Sequence, residues 1–289
     1  MIPTNAVYRG DLKRNGMTFR DHVWAHLSQY RENVLRLPLG TFSHRGRRIP
    51  KGHILPRKYF RHNLLEPYRN RFFSSDHGSI KLHKYFHHLN SSQALCINLL
   101  FPLLVEKRED LLARSFGLRL TPPLHARFES ESPIEIAKRR TSFDFHLSAE
   151  GRDVYVEVKY TEDGFGAAED DAEHRAKFVE TYAPLLSKSP FLTASCRDCT
   201  FFLQNYQVLR NLVHITEGSE VVFLFPREND SVAKEALEAR EELLTGAGKG
   251  RLHILFLEDV VAQLIEGCGS GALRAYYQAF GEKYLAYVS

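Results

Sequence analysis

No stretch of this chain is apolar for long enough to cross a bilayer, which takes ~20 residues. The longest candidates, around ALCINLLFPLLV and EVVFLF, fall short. The N-terminus, MIPTNAVYRGDLKRNG, has no apolar core followed by a small-residue cleavage site, so no secretory signal is read there. A soluble cytoplasmic protein with no membrane partner is expected. Cysteine is scarce. Cys96, Cys196, Cys199 and Cys268 are too few in 289 residues for a disulfide framework. Cys196 and Cys199 form a lone CxxC, and zinc would require two more ligands from elsewhere. Reduced thiols at chance spacing are the simpler reading. Internal repeats and low-complexity tracts are also absent.

What is present is globular: 43% hydrophobic and 26% charged residues. The net charge of +4 conceals an asymmetry. The first 90 residues carry 17 Lys and Arg against 5 Asp and Glu, whereas the remainder carries 22 against 30. Nine of the 14 histidines also lie in the first segment. A basic segment beside an acidic one points to a polyanion partner, nucleic acid first. The alternative is that the segment pairs with acids of its own core or stays solvated.

Residues 1–89 read as a basic, irregular extension with short helices at Thr18–Tyr30 and Ile80–His88. Residues 90–289 read as the folded domain. Asn90-Ser91-Ser92 supplies cap residues for a buried helix, QALCINLLFPLLV, ended or kinked near Pro102. A second helix, VEKREDLLARSFG, stops at Gly117. LHARFES is a strand with Glu129 near its end. SFDFHL and VYVEVKY are strands joined by SAEGRD, whose glycine suits a hairpin turn. An acidic loop follows, then the amphipathic helix FFLQNYQVLRNLVHI, the strand SEVVFLFP, the charged helix SVAKEALEAREELL, the strand RLHILFLE and two closing helices. Strands alternating with helices, plus a hairpin, give an α/β domain with a mixed sheet flanked by helices.

Three charged residues stand inside the hairpin strands, where such residues are usually avoided. Alternation puts Val154, Val156 and Val158 on one face and Tyr155, Glu157 and Lys159 on the other. On the first strand, Phe143, Phe145 and Leu147 share a face, opposite Ser142, Asp144 and His146. With the apolar faces together, Asp144, Glu157 and Lys159 converge. Two adjacent carboxylates stay ionised only beside compensating positive charge, and Mg²⁺ supplies it with one or two carboxylates, waters and phosphate oxygens. A neighbouring lysine then orients water or stabilises charge on a scissile phosphate. The alternative is a solvated strand face with an ordinary Glu–Lys pair.

Asp144 followed thirteen positions later by Glu157-Val158-Lys159 resembles the PD-(D/E)XK nuclease superfamily, with its restriction-endonuclease-like core. The resemblance covers roughly residues 90–260, and within it the sequence is similar to a bacterial branch of poorly characterised nuclease-like proteins. Phe143 stands where the motif has proline. The resemblance implies Asp144, Glu157 and Lys159 as catalytic residues and Asp144, Glu157 and Glu129 as ligands of Mg²⁺, with Mn²⁺ as a substitute. Gln93, Glu162, Gln207 and Arg210 are secondary candidates. Glu129, Glu162 and the Gln207–Arg210 stripe also read as an exposed strand end, a loop charge and the polar face of an amphipathic helix. Glu131 and Glu135 fall in a loop and are less attractive. His83 and His87, four apart, have metal-compatible spacing but no acidic partner, and read as basic surface. His146 shares the face of Asp144.

Arg45, Arg47, Arg48, Lys51, Arg57, Lys58 and Arg61 are the candidate nucleic-acid contacts. Their interleaved aromatics either stack on bases or anchor the segment to its core. The expected function is a metal-dependent nuclease acting on nucleic acid, DNA before RNA, with a homodimer allowed. The alternative is a catalytically inactive nucleic-acid-binding module on the same fold. A two-carboxylate glycosidase is disfavoured by the adjacent lysine and by the single Trp24.

Overall fold

Alternation of apolar side chains along three consecutive segments builds the antiparallel half of the sheet. These are β3 (His125–Glu131), β4 (Ser142–Ala149) and β5 (Arg152–Val158), in a computed structural model that describes residues 16–121, 123–136 and 140–288. Gly151, with φ 70°, turns β4 into β5. The largely apolar β6 (Ser219–Phe225) and β7 (Leu252–Phe256) continue the sheet in parallel. Strand order follows chain order, β3-β4-β5-β6-β7. A separate two-stranded hairpin, β1 (Gly40–His44) and β2 (Arg47–Lys51), precedes it.

Helices cover both faces. One hydrophobic cluster joins Phe145, Val154, Val156, Val158 and Leu224 to α3 (Ser92–Val105), α4 (Glu109–Ser115), α11 (Leu257–Gly267) and α12 (Ala272–Tyr284). The other joins Tyr155, Val221, Phe223 and Phe225 to α6 (Ala183–Lys188), α7 (Cys199–Gln204), α8 (Tyr206–Leu212) and α9 (Asp230–Glu238), while α5 (Ala172–Lys177), before them, has no buried residue. A short α10 (Gly246–Lys249) precedes β7. This is the mixed sheet flanked by helices that the sequence implies.

The core crosses residue 90. Val23 and Leu27 of α1 (Phe19–Gln29), with Leu64, Tyr68 and Phe72 at and around α2 (Tyr68–Ser74), belong to the same cluster as α3. Thr18 and Asp21 cap α1 reciprocally, close to the expected start. Residues 1–15 of the expected extension lie outside the described residues. Aromatics of this segment serve as anchors: Tyr68 and Phe72 are buried.

Three local expectations are corrected. Ile80–His88 is not a helix. Its backbone pairs with residues 53–55 instead, through Leu55 N–H to His87 O at 3.0 Å and Leu89 N–H to His53 O at 2.9 Å, so His83 and His87 share no helical face. The helix after the acidic loop breaks at Asn205 into α7 and α8. Of the two expectations for Pro102, an end to α3 is the one not met, since the helix runs on to Val105 with Pro102 inside it. The carbonyl that Pro102 cannot bond, Asn98 O, accepts instead from Tyr276 Oη at 2.7 Å.

Candidate active site

β4 changes phase at its entry. Phe145 pairs with Val156 and Leu147 with Val154, as alternation requires. Phe143, however, joins Tyr155 in the opposite cluster, with ring centroids 4.7 Å apart. This corrects the expectation that Phe143, Phe145 and Leu147 share a face. The cause is next door on β3. Phe128 pairs with Phe145 and Ser130 with Phe143, so Glu129 stands opposite Asp144 in register. Glu129 has φ 50°, in the left-handed region that a non-glycine residue enters only under constraint. Pairing is interrupted there.

Beyond Phe145 and Val156 the β4–β5 ladder also ends. The Asp144 carboxylate replaces it: Oδ2 accepts the Val158 N–H at 2.7 Å. Glu129, Asp144 and Glu157 therefore occupy consecutive strands side by side. All three line a cleft of about 560 Å³, together with Lys159, Gln93, Glu162 and Gln207. Lys159 lies one residue past β5, held by its N–H on Leu224 O at 2.9 Å. Its Nζ is 2.9 Å from Glu157 Oε1 and 5.5 Å from the Phe165 ring. Gln207 Nε2, from α8, donates to the same Glu157 oxygen at 2.9 Å. On the other flank Gln93 Nε2, from α3, donates to Glu129 Oε1 at 2.7 Å, and Ser142 Oγ to Oε2 at 3.3 Å. Glu162 accepts the Tyr160 N–H at 2.6 Å.

Electrostatics follow from this crowding. Withdrawal from water, then the Glu157 and Glu129 charges, push the Asp144 carboxyl well above its ordinary range, against the opposing pull of the Val158 N–H and Lys159. Burial raises Glu129 as well, against hydrogen bonds from Gln93 and Ser142. Burial works to lower Lys159, but Glu157, Glu162 and Asp144 outweigh it and the ammonium is favoured. As the side chains stand, no group of three or more His, Cys, Asp or Glu among the described residues is arranged to hold a metal ion. Each carboxylate of the row is engaged by a protein donor.

Other candidates go elsewhere. Arg210 turns away from Gln207: its Nε donates to Thr141 Oγ1 at 3.0 Å. His146 pairs with Asp153 at 2.8 Å and stacks on Tyr155. Glu131 is exposed. Glu135, expected as a loop charge, is instead 2% exposed and accepts from Thr141 N at 2.9 Å and Tyr182 Oη at 3.2 Å. It fastens the β3–β4 connection. Cys196 is buried with its thiol on Leu243 O at 3.6 Å, and Cys199 is half-buried. Arg45, Arg47, Arg48 and Lys51 lie on the β1–β2 hairpin; Arg57, Lys58 and Arg61 lie on the turn Arg57–Asn63.

Sequence reasoning missed the opposite wall. Arg20, Trp24, Tyr85, His88 and Asn90 line the same cleft. Asn90 Nδ2 donates to Thr161 Oγ1 at 2.8 Å and Arg20 Nε to Thr161 O at 2.9 Å, which ties this wall to the strand end after Lys159. The segment read as an extension thus completes the cleft. The signal in the sequence was the excess of Lys and Arg over Asp and Glu in residues 1–89.

Neither the curated proteins nor the solved structures contain a match to this chain. A family model does match, over residues 24–285, which takes in the N-terminal wall from Trp24 onward together with the sheet. On that match the chain belongs to the REase-ARP family, described as restriction endonucleases associating with ARP.

Proposed function

We propose that this protein is a divalent-metal-dependent nuclease that hydrolyses phosphodiester bonds in nucleic acid, DNA before RNA. The observation that carries this reading is the row of carboxylates on three neighbouring strands, Glu129, Asp144 and Glu157, with the Lys159 ammonium 2.9 Å from Glu157. Three acids beside one buried cation leave a local excess of negative charge that a hard divalent ion complements. Mg²⁺ requires only one or two protein carboxylates, because water and substrate oxygens complete its shell. Asp144 and Glu157 would hold it, with Glu129 alongside, and Mn²⁺ suits the same oxygen donors. When bound, the cation polarises a phosphoryl oxygen and acidifies a water.

The remaining work falls to the chain itself. Lys159 presents a fixed positive charge at the cleft floor, where charge gathers on a scissile phosphate. Gln207 fixes the rotamer of Glu157 and Gln93 that of Glu129. The cations of residues 16–89 complement a polyanion. The family's description names ARP as an associate, and we extend that association to this chain as part of the proposal. The competing reading is an inactive binding module on the same fold. It draws support from the Lys159–Glu157 ion pair, which already engages one of the acids.

Incubation with plasmid, linear and single-stranded DNA and with RNA, in Mg²⁺ or Mn²⁺, separates the two. Cleavage by the parent and none by a folded Asp144→Ala or Lys159→Ala variant is expected. Equal cleavage by those variants would remove the assignment, and binding without turnover in either metal would favour the module.

A further inference from the structure

The β1–β2 hairpin has side chains that serve no packing purpose. All five residues of β2, Arg47 through Lys51, are exposed, as are Arg45 and Gly46 at the tip. Arg45, Arg47, Arg48 and Lys51 have no acidic partner among the described residues, in contrast to Arg20, Arg31 and Arg69 of the same segment. The tip is a two-residue turn between His44 and Arg47, with φ 47° at Arg45 and 77° at Gly46. Such turns call for Asn, Asp or Gly at both central positions. An arginine there breaks a local rule with no compensating ion pair among the described residues, which is the mark of a functional position.

The root of the hairpin is rigid by contrast. Buried Arg31 donates to Leu37 O before β1 and, at 2.8 Å, to Gly52 O after β2, so one guanidinium clamps both ends. Gly40 and Gly52 have no room for a Cβ: one would meet Leu55 O, the other Ser28 Oγ. The hairpin also leans on the cleft. Phe42 lies 6.1 Å from Tyr85 and 6.2 Å from His88, ring to ring, and both line the carboxylate cleft.

We propose that this hairpin is an arm that enters the major groove of a B-form DNA duplex beside the cleft, its cations meeting phosphates along the groove walls. The occupant follows from shape and charge. A two-stranded β-ribbon fits the B-form major groove, whereas the A-form groove of duplex RNA is too deep and narrow. Charged strand edges also discourage edge-to-edge association, but that role would not require an arginine in the strained turn. The inference rests on the nuclease reading for its substrate, and its test is separate from cleavage.

The measurement is anisotropy of labelled duplex DNA, single-stranded DNA and duplex RNA with the full chain, without divalent metal, over a range of salt. The triple variant Arg45→Ala, Arg47→Ala, Arg48→Ala is expected to reduce the slope of log affinity against log salt by about 2 to 3 on duplex DNA, since each phosphate left unneutralised lowers it by about 0.9. Binding to the other two probes should change far less. Arg45→Gly is expected to raise the melting temperature while weakening duplex DNA binding. An unchanged slope, an equal fall on all three probes, or no duplex binding by the parent overturns the arm. Duplex binding through the hairpin with no cleavage in any metal leaves the arm standing and removes the nuclease.

Discussion

Glu129 stands opposite Asp144 in the β3–β4 register and is the residue at which that register loses its pairing, with φ 50°. An L-residue in the left-handed region gives up roughly 1 kcal/mol or more, and outliers of this kind collect where function needs a side chain re-aimed. The excursion turns the Glu129 carboxylate onto Gln93 and Ser142 at the cleft wall and puts Phe143 out of phase with Phe145.

Comparison of Glu129→Gly with Glu129→Ala isolates that backbone cost, since both remove the carboxylate and only glycine relaxes the φ. The glycine variant is expected to be the more stable by about 1 kcal/mol in urea unfolding, the reverse of the usual order inside a strand. An alanine variant as stable as the glycine one would mean that no strain is held at Glu129.

Lys159 and Glu157 are 8% and 5% exposed, so their ion pair is buried. Removing one partner of a buried pair costs about 3 to 5 kcal/mol, chiefly because the other charge is stranded. Lys159→Met is therefore expected to lose about 3 kcal/mol, and adding Glu157→Gln to restore most of it. Cleavage should be absent from both. A double variant no more stable than the single one would show that the pair is not what Lys159 contributes.

Asp144 links the site to pH. A carboxyl whose folded pKa is raised binds its proton more tightly when folded. Its stabilising share is complete below the unfolded value near 3.8 and is lost as pH rises through the raised one. Asp144→Asn removes that loss and still offers an oxygen to the Val158 N–H. The metal-free variant should thus melt above the parent, by a margin that widens from the acidic carboxylate range toward neutrality. Mn²⁺ titrated into the parent should release protons and bind more tightly at higher pH. A margin that narrows with pH would contradict the crowding of Asp144 by Glu157 and Glu129.

The carboxylate row was legible because strand alternation is local: the few residues on either side of Gly151 suffice to aim Asp144 and Glu157. Gln207 was legible only as one member of the polar stripe it shares with Arg210 on an amphipathic helix, which does not tell which of the two reaches the cleft. Phase was lost where a remote neighbour intervened. Nothing in SFDFHL reveals that Glu129 opposite would turn left-handed and rotate Phe143. The cleft wall was illegible because Arg20, Trp24 and His88 reach Lys159's surroundings from far upstream in the chain, and no periodicity marks such approaches. Ile80–His88 failed for the same reason: its backbone partners lie at residues 53–55. Arg210 and Gln207 share a helix but diverge in target, the one bonding Thr141 and the other Glu157.

Pro102 and Tyr276 form a complementary pair, one removing a donor from α3 and the other returning it to Asn98 O. Tyr276→Phe leaves a buried carbonyl unpaired, which costs about 1 to 3 kcal/mol. In the Pro102→Ala background the alanine N–H reaches Asn98 O along the helix, so the same Tyr276→Phe change should cost about 1 kcal/mol less. A thermodynamic cycle over the two single variants and the double variant reads that coupling directly. Because α3 also carries Gln93, which holds Glu129, the helix set by this exchange is the one that positions the outer edge of the carboxylate row. Independent, additive effects of the two substitutions would mean that α3 crosses Pro102 by some other means, and that the Tyr276 hydroxyl is not what replaces the missing bond.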